Sequence, residues 1–237
     1  FVMADGGALR SGYWTALLYT QLDSLCGEAF GNKVFSFSGA SGGSTGNAVY
    51  YSALVNDLPQ PGAVAKEVLH QDLFSYTAAR MLGNDVLNAF LPVFDDRGAG
   101  LEDVLSYFAE SADSKLQLNQ AFENFIPQDT SSWTPILSLN PTRIQDAAPA
   151  LISTMNIQNS HGLDHRADVL GEKNPESKHR YSSMALLGSR FPYVSPAGAI
   201  QRKGKGRNMD YYVDGGYMDN SGAGIVLEMI MQLDSLK

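Results

Sequence analysis

The stretch VFSFSGASGGSTG, Val34 to Gly46, restricts what this chain can fold into more than any other. Its first five residues are an apolar run interrupted by serine, which predicts a short strand over Val34–Ser38. Glycines and serines follow at once, and glycine lets a backbone turn sharply because it has no Cβ. We therefore predict a strand, a tight turn and a helix over Gly43–Val55, in that order.

The same order occurs at the start of the sequence. Phe1–Ala4 predicts a buried strand, Asp5–Gly7 a turn and Tyr13–Leu25 a helix. Two successive β-loop-α units predict parallel strands joined by right-handed crossovers. The fold class is therefore predicted to be α/β with a mostly parallel central sheet. The length of 237 residues suits one large domain over 1–237. Because Phe1 already lies in a predicted strand, we expect this domain to belong to a longer chain.

Further along, periodicity and punctuation predict helix through most of Pro61–Pro127, with a break at Gly98–Gly100. The apolar segment Met81–Phe94 is predicted to pack into the core, and its alternative is a lid or a membrane-facing surface. The remaining predicted elements are strands at Pro135–Leu139, Ala150–Met155 and Tyr211–Val213, a polar surface loop over His161–His179, and helices at Ser182–Leu187 and Ile225–Leu233.

The charge balance of the chain argues against some classes of binding partner. With 17 basic and 25 acidic residues the net charge is −8, which argues against nucleic acid and against purely electrostatic docking on anionic lipid. The segment Gln201–Arg207 is nevertheless locally basic. The single cysteine, Cys26, excludes an internal disulfide and is predicted to be a buried, inert thiol.

Two overlapping G-x-S-x-G matches, centred on Ser41 and Ser44, raise the question of a nucleophile. A serine hydroxyl needs exposure, a neighbouring base and donors for an oxyanion. Ser41 is favoured because it lies at the tip of the turn, whereas Ser44 is already inside the first helical turn. The alternative for this stretch is a tight turn with a helix-capping serine.

Two further glycine motifs bear on this choice. Asp5–Gly12, DGGALRSG, follows a predicted strand, and its successive glycine amides predict an anion-binding nest. It lacks the phosphate-loop pattern, although a phosphate or nucleotide site and a plain strand-to-helix turn remain alternatives. Tyr211–Gly222, YYVDGGYMDNSG, places Asp214 after a predicted strand, and its alternative is a hairpin or an Asx-turn.

Together with Gly188–Pro196, GSRFPYVSP, these motifs resemble the patatin-like phospholipases, including the related cytosolic phospholipase A2 branch, in order and across nearly the whole chain. The resemblance implies a three-layer α/β/α fold with a nucleophile elbow. It also implies a lipid acyl hydrolase that needs neither metal nor organic cofactor. The sequence departs from the family's oxyanion loop at Ala8, where a third glycine is expected, and at Ser11, where glycine is usual.

Carried over to this sequence, the resemblance makes Ser41 the nucleophile and Asp214 its partner in a dyad. The implied oxyanion donors are the amides of Gly6, Gly7, Ala8 and Gly42, and the implied supporting residues are Arg10, Gly39, Gly43, Gly215 and Gly216. The expected substrate is a phospholipid or related lipid, met at a membrane or lipid-aggregate surface. The expected location is cytoplasmic or peripheral to a membrane.

Several alternatives stay open at this point. A triad of Ser41, Asp146 and His161 is formally possible, although none of the four histidines follows Asp214 as in an ordinary α/β-hydrolase. His161 and His165 have helical metal-ligand spacing but lack a third ligand pattern, so no metal is predicted. A lipid-binding or scaffold domain without catalysis is the rival function, because a fold does not establish an activity.

Overall fold

The computed structural model describes residues 1–91, 97–111, 116–128, 133–157, 163, 165–204 and 208–235. Within these residues the chain is an α/β protein in which strands and helices alternate at the start and helices dominate the middle. The helices are α1 (Ala8–Cys26), α2 (Ser41–Val55), α3 (Pro61–Leu69), α4 (Phe74–Leu82), α5 (Asn84–Asn88), α6 (Arg97–Ser111), α7 (Val169–Glu172), α8 (Tyr181–Leu187) and α9 (Ala223–Ser235). The strands are β1 (Val2–Ala4), β2 (Ser36–Gly39), β3 (Ile136–Leu139), β4 (Thr142–Arg143), β5 (Ala150–Ser153), β6 (Ala167–Asp168), β7 (Gly198–Gln201) and β8 (Met209–Val213).

The larger sheet is mixed and mostly parallel, which confirms the predicted α/β class. Its strand order is β1-β2-β3-β5-β6. The strand β2 pairs in parallel with β1 and with β3, so that Ser38 lies between Met3 and Ser138. The strand β5 runs antiparallel to β3 and parallel to β6. The carboxyl ends of β1 and β2 therefore meet at one edge, where the two glycine-rich loops emerge.

A second, antiparallel sheet has the order β4-β8-β7. Its strand β4 starts three residues after β3 ends and pairs with β8, with Thr142 opposite Val213. This pairing carries the end of β8, and therefore the residue that follows it, back to the carboxyl end of β3. The topology thus brings the third glycine motif to the same edge as the first two.

The helix α2 lies at the centre of the core, with every residue from Ser41 to Leu54 buried. It contacts α1, α3 and α8 as well as β1, β2 and β3. Small residues allow α1 and α2 to approach closely: a Cβ added at Gly46 would lie 2.9 Å from the carbonyl oxygen of Gly12. This central, glycine-rich helix fixes the position of its own N-terminus, which carries the elbow.

A smaller apolar cluster is formed with α9. Along β5, Ile152 belongs to the main core whereas its neighbour Leu151 packs with Ile225 and Met229 of α9. Successive side chains of a strand point to opposite faces of the sheet, so the two clusters lie on opposite sides of β5.

Three predictions of helix extent were wrong for a common reason. The helices α1 and α2 begin at Ala8 and Ser41, earlier than predicted, and the expected break at Gly98–Gly100 lies inside α6. Glycine disfavours helix in isolation, but here it permits close packing. A Cβ at Gly100, for example, would lie 2.6 Å from the side chain of Arg80 in α4.

Other predictions also need correction. The predicted surface loop His161–His179 contains β6 and α7, although part of it lies outside the described residues. In α9 the residues Ile230 and Leu233 are exposed, so the predicted apolar face is only partly buried. Cys26 is partly rather than fully buried.

The segment Met81–Phe94 does not pack as predicted over its described part. The residues 81–91 expose nearly all their large apolar side chains, so the core interpretation was wrong for them. Pro92, Val93 and Phe94 lie outside the described residues. No helix in the described part of the chain is long and apolar enough to cross a membrane.

Candidate functional site

Ser41 occupies a strained turn between β2 and α2. It is the first residue of α2 and has a φ of 50°, in the left-handed region that non-glycine residues rarely adopt. Such strain costs on the order of 1–3 kcal/mol and concentrates at functional sites. Adjacent glycines make room for the turn: a Cβ at Gly39 would lie 2.9 Å from the amide nitrogen of Ser44, and one at Gly43 would lie 2.3 Å from the carbonyl oxygen of Ala4.

Ser44 has a structural role. It is fully buried, and its Oγ donates a hydrogen bond of 2.5 Å to the carbonyl oxygen of Gly39 at the end of β2. This bond closes the turn from within the helix. Of the two serines in the overlapping motifs, Ser41 lines the cavity described below and Ser44 does not.

The loop after β1 is built in the same way. Ala8 is the first residue of α1 and has a φ of 53°, so the alanine takes the conformation that a glycine would adopt more easily. A Cβ at Gly42 would lie 1.7 Å from the carbonyl oxygen of Ala8, so the N-termini of α1 and α2 abut. Amides in a first helical turn have no acceptor within their helix, which leaves those of Ala8 and Gly42 available to a ligand.

Gly6 differs from the other implied oxyanion donors. Its amide donates a 2.8 Å hydrogen bond to the carbonyl oxygen of Asn220, in the loop after β8. A Cβ at Gly6 would lie 2.3 Å from Asn220 Oδ1 and 3.1 Å from Ser41 Cβ. In this structure Gly6 therefore joins the first loop to the third one, and the amides of Gly7, Ala8 and Gly42 remain as the candidate donors.

Asp214 follows β8 directly and is buried, with 5% of its surface exposed. Its Oδ1 accepts a 2.8 Å hydrogen bond from the amide of Gly216, and its own amide donates one of 3.1 Å to the carbonyl oxygen of Arg190. A Cβ at Gly215 would lie 1.8 Å from the carbonyl oxygen of Asn140, just beyond β3. Only glycine allows this close approach, and it places Asp214 beside the elbow.

Sequence reasoning missed the polar residues that hold these loops together. The Asn140 amide donates to the carbonyl oxygen of Gly39 at 2.8 Å and to Ser38 Oγ at 3.1 Å. Ser38 Oγ in turn donates to the carbonyl oxygen of Gly222 at 2.7 Å. These residues are far apart in the sequence and form no motif, so only the fold shows that they fasten the Asp214 loop to the end of β2.

Asp219 braces the segment between Asp214 and α9. Its carboxylate accepts hydrogen bonds from the amides of Ser221, Gly222 and Gly224, at 3.0, 3.0 and 2.7 Å, and also from Ser221 Oγ. Burial alone would raise the pKa of Asp219, but these hydrogen bonds outweigh it and lower the pKa below its usual value. The charged carboxylate thus stabilises the start of α9.

A cavity of about 750 Å³ opens where the three loops meet. Its walls combine eight residues implied by the motifs with apolar side chains from α4, α6, α8 and the loop before β7. The residues that line it are Gly6, Gly7, Ala8, Leu9, Arg10, Ser41, Gly42, Thr45, Phe74, Thr77, Leu101, Leu186, Ser189, Phe191, Val194, Asp214, Gly216, Tyr217 and Asn220. The implied supporting residues Gly39, Gly43 and Gly215 shape the backbone behind this surface.

Ser41 and Asp214 both line the cavity but are not bonded to each other. Among the described residues, no hydrogen bond joins Ser41 Oγ to the carboxylate of Asp214, whose Oδ1 is held by Gly216. Arg10 is exposed on the rim and supplies the positive charge of the lining. Among the described residues that line it, the cavity therefore has one carboxylate, one cation and two abutting helix N-termini on an otherwise largely apolar surface.

A buried ion pair supports the wall that carries Asp214. Arg190 lies in the loop after α8, and its guanidinium binds Glu102 of α6. Glu102 also accepts hydrogen bonds from Arg180, at 3.2 Å, and from Ser183 Oγ, at 2.5 Å. Since the carbonyl oxygen of Arg190 receives the amide of Asp214, this pair links α6 to the candidate acid.

The alternative sites receive little support. Asp146 is exposed between β4 and β5 and binds Arg143, whose guanidinium lowers the pKa of that carboxyl. His161 lies outside the described residues. His165 approaches Glu228 at 3.2 Å, and no group of three or more potential metal ligands occurs among the residues that the structure describes.

Comparison of the chain with models of known protein families gives no match, and no curated protein matches it either.

Proposed function

We propose that this protein is a lipid acyl hydrolase, a serine esterase that cleaves carboxylic esters of phospholipids or related lipids through Ser41 and Asp214. The observation that carries the proposal is the strained Ser41 at a strand-to-helix turn, sharing one largely apolar cavity with a buried carboxylate. A strained residue persists only where the surrounding structure fixes its conformation, and such residues cluster at functional sites. The fold that goes with this proposal is the three-layer α/β/α arrangement of the patatin-like phospholipases that the motifs resemble.

The proposed first half-reaction forms an acyl-enzyme. Ser41 Oγ attacks the ester carbonyl carbon while its proton passes to Asp214. The oxyanion is held by the amides of Gly7, Ala8 and Gly42, at the ends of two helices whose dipoles favour negative charge. The tetrahedral intermediate then expels the alcohol, which takes the proton back from Asp214.

The second half-reaction releases the acid. Water attacks the acyl carbon as Asp214 accepts one of its protons. The second tetrahedral intermediate then breaks its bond to Ser41 Oγ, which takes the proton from Asp214 as the carboxylic acid leaves. Transfer requires a separation of roughly 2.6–3.2 Å, and catalytic hydrogen bonds often tighten only when substrate is bound. The apolar walls suit an acyl chain, and Arg10 on the rim suits the phosphate of a headgroup. No step draws on a metal or an organic cofactor.

A catalytically inactive lipid-binding domain is the second candidate. It is favoured by one observation, the lack of a Ser41–Asp214 hydrogen bond among the described residues. Such a domain would retain the cavity and the apolar rim but would not turn over an ester.

Hydrolysis of a soluble p-nitrophenyl ester series tests the proposal. We expect measurable turnover by the wild type and a loss of at least about 1000-fold in Ser41→Ala and in Asp214→Asn, since dyad members act as a unit. Ser44→Ala is the matched control for nucleophile identity and should retain most of the activity once it is shown to be folded. Absence of turnover in folded wild type, with retained binding of a fatty acid, would favour the lipid-binding domain.

A further inference from the structure

An exposed apolar surface borders the cavity. We call it the rim surface and define it by residues 74–91, which include α4 and α5, together with the loop before β7. Along the first part, Leu82 and Phe90 are 73% and 80% exposed. In the loop, Tyr193 is 91% exposed. Its exposed large apolar residues are Phe74, Tyr76, Met81, Leu82, Val86, Leu87, Phe90, Leu91, Phe191, Tyr193 and Val194.

One arginine joins the two parts of the rim surface. Arg97, the first residue of α6, binds the carboxylate of Asp85 in α5. The same guanidinium donates to the carbonyl oxygens of Val194, at 2.8 Å, and Tyr193, at 3.2 Å. Since Val194 also lines the cavity, α5 lies one side chain away from the cavity mouth. The rim surface and the cavity wall are therefore continuous.

Tyr193 is exposed and has a strained backbone conformation. Its φ of 71° is in the left-handed region, where a bulky residue is an outlier. The Tyr193 ring, next in the chain to the cavity-lining Val194, is almost fully in water and therefore contributes little buried apolar area to the folded monomer. Tyrosine combines an apolar ring with a hydroxyl and is enriched where apolar and aqueous phases meet.

Charge identifies the kind of surface that this rim fits. Between Phe74 and Leu91 the charged residues are Arg80 and Asp85, and both are paired, with Asp103 and Arg97 respectively. In the loop, Arg190 is buried against Glu102. Residues 74–91 and the loop before β7 carry no excess of cations, and Arg10 at the cavity mouth is a single further cation, so anionic headgroups add little to docking. A net charge of −8 on the whole chain opposes such headgroups further.

We propose that the rim surface docks on a zwitterionic lipid bilayer, with Leu87, Phe90 and Tyr193 entering the headgroup–acyl boundary. The cavity mouth then opens toward the acyl chains, so a lipid can enter without crossing water. A protein bound to the same residues would block the cavity mouth, whereas a bilayer supplies lipid through it. For this reason the bilayer is the occupant that the geometry favours. This inference deepens the proposed function and takes its lipid substrate from it.

Vesicle co-sedimentation tests docking separately from catalysis. The protein is the Ser41→Ala variant, which cannot consume the lipid, and the probe is large vesicles of phosphatidylcholine. In this background, Leu87→Asp and Phe90→Asp should each weaken the affinity for the vesicles about tenfold or more, because each removes a large apolar group from the interface. The matched control is Leu227→Asp, on an exposed position of α9 outside the rim surface, which should bind as the parent does.

The outcomes separate the two proposals. Leu87→Asp in the otherwise wild-type enzyme should leave hydrolysis of a soluble short-chain ester unchanged while reducing hydrolysis of vesicle lipid. Turnover of the soluble ester without binding to phosphatidylcholine would overturn the docking inference and leave the proposed function standing. Equal binding by Leu87→Asp and Leu227→Asp, or binding only to anionic vesicles, would also overturn it. Vesicle binding by a protein that hydrolyses no ester would contradict the proposed function alone.

Discussion

Replacing Glu102 should destabilise the protein more than any neighbouring charge change. The side chains of Glu102 and Arg190 are only 10% and 8% exposed, and Arg190 Nε already lacks a hydrogen-bond partner among the described residues. Glu102→Gln removes the negative charge, so the buried guanidinium of Arg190 is left with neutral side-chain partners such as Ser195 Oγ, at 3.2 Å. Breaking a buried ion pair in this way costs about 3–5 kcal/mol.

The matched control is Asp103→Asn. Asp103 is the next residue in α6 and binds Arg80 and Arg180, but its side chain is 38% exposed, so we expect a loss below about 1 kcal/mol. Urea unfolding followed by tryptophan fluorescence would measure both, with the slope m unchanged if only stability differs. For a chain of this size, 3–5 kcal/mol corresponds to a fall in Tm of roughly 6–20 °C.

A double variant tests the reason for the effect. Glu102→Leu combined with Arg190→Met replaces the pair with apolar groups of similar size and should recover most of the stability lost by Glu102→Gln. The reasoning would be refuted if Glu102→Gln unfolded within 1 kcal/mol of Asp103→Asn, or if the double variant were less stable than Glu102→Gln.

Three further predictions concern the loops at the site. Gly42→Ala should lower the free energy of unfolding by about 3 kcal/mol or prevent folding, because its Cβ would meet a backbone carbonyl oxygen at 1.7 Å; unfolding like the wild type would contradict this contact. Ala8→Gly should raise the free energy of unfolding by up to about 1 kcal/mol, because glycine adopts a positive φ without strain. A lower Tm for Ala8→Gly than for the wild type would show that Ala8 is not strained. Asp219→Asn should destabilise the protein at pH 7 but progressively less as pH falls through the lowered folded pKa, because the depressed pKa contributes stability only while the carboxylate is charged. A difference in stability that does not vary between pH 7 and pH 3 would exclude this linkage.

The first two β-loop-α units could be predicted because their strands and turns are local features. The alternation in VFSFS and the glycines after it specify a buried strand and a sharp turn without reference to the rest of the chain. The start of each helix could not be placed, because helix propensity treats Gly42 and Gly43 as breakers. Their close contacts with the loop after β1 show that they are small for packing reasons instead.

The choice of Ser41 over Ser44 also came from local order, and the hydrogen bond of Ser44 to Gly39 is consistent with it. The surroundings of Asp214 could not be predicted. They depend on Asn140, more than 70 residues earlier, and on Arg190, whose carbonyl oxygen receives the Asp214 amide. Long-range pairing through the second sheet decides which residues support the acid, and no short pattern encodes it.

The exposure of residues 81–91 shows that hydrophobic periodicity alone does not predict whether an apolar face is buried. Apolar helical spacing usually marks a buried face, and here nearly all the large apolar side chains over these residues are exposed. An amphipathic pattern indicates that one face of a helix is apolar. Only the fold shows whether the rest of the protein covers that face or leaves it exposed. The ion pair between Arg97 and Asp85, which could not be read from the sequence, orients this face toward the cavity mouth.

The most direct test of the central claim is to identify the residue that forms a covalent adduct with a fluorophosphonate probe, by peptide mass spectrometry. The account predicts one adduct, on Ser41, that persists in Ser44→Ala and disappears in Ser41→Ala, with much slower labelling in Asp214→Ala. Labelling of another serine, or no labelling of folded wild-type protein in the presence of phosphatidylcholine vesicles, would contradict it.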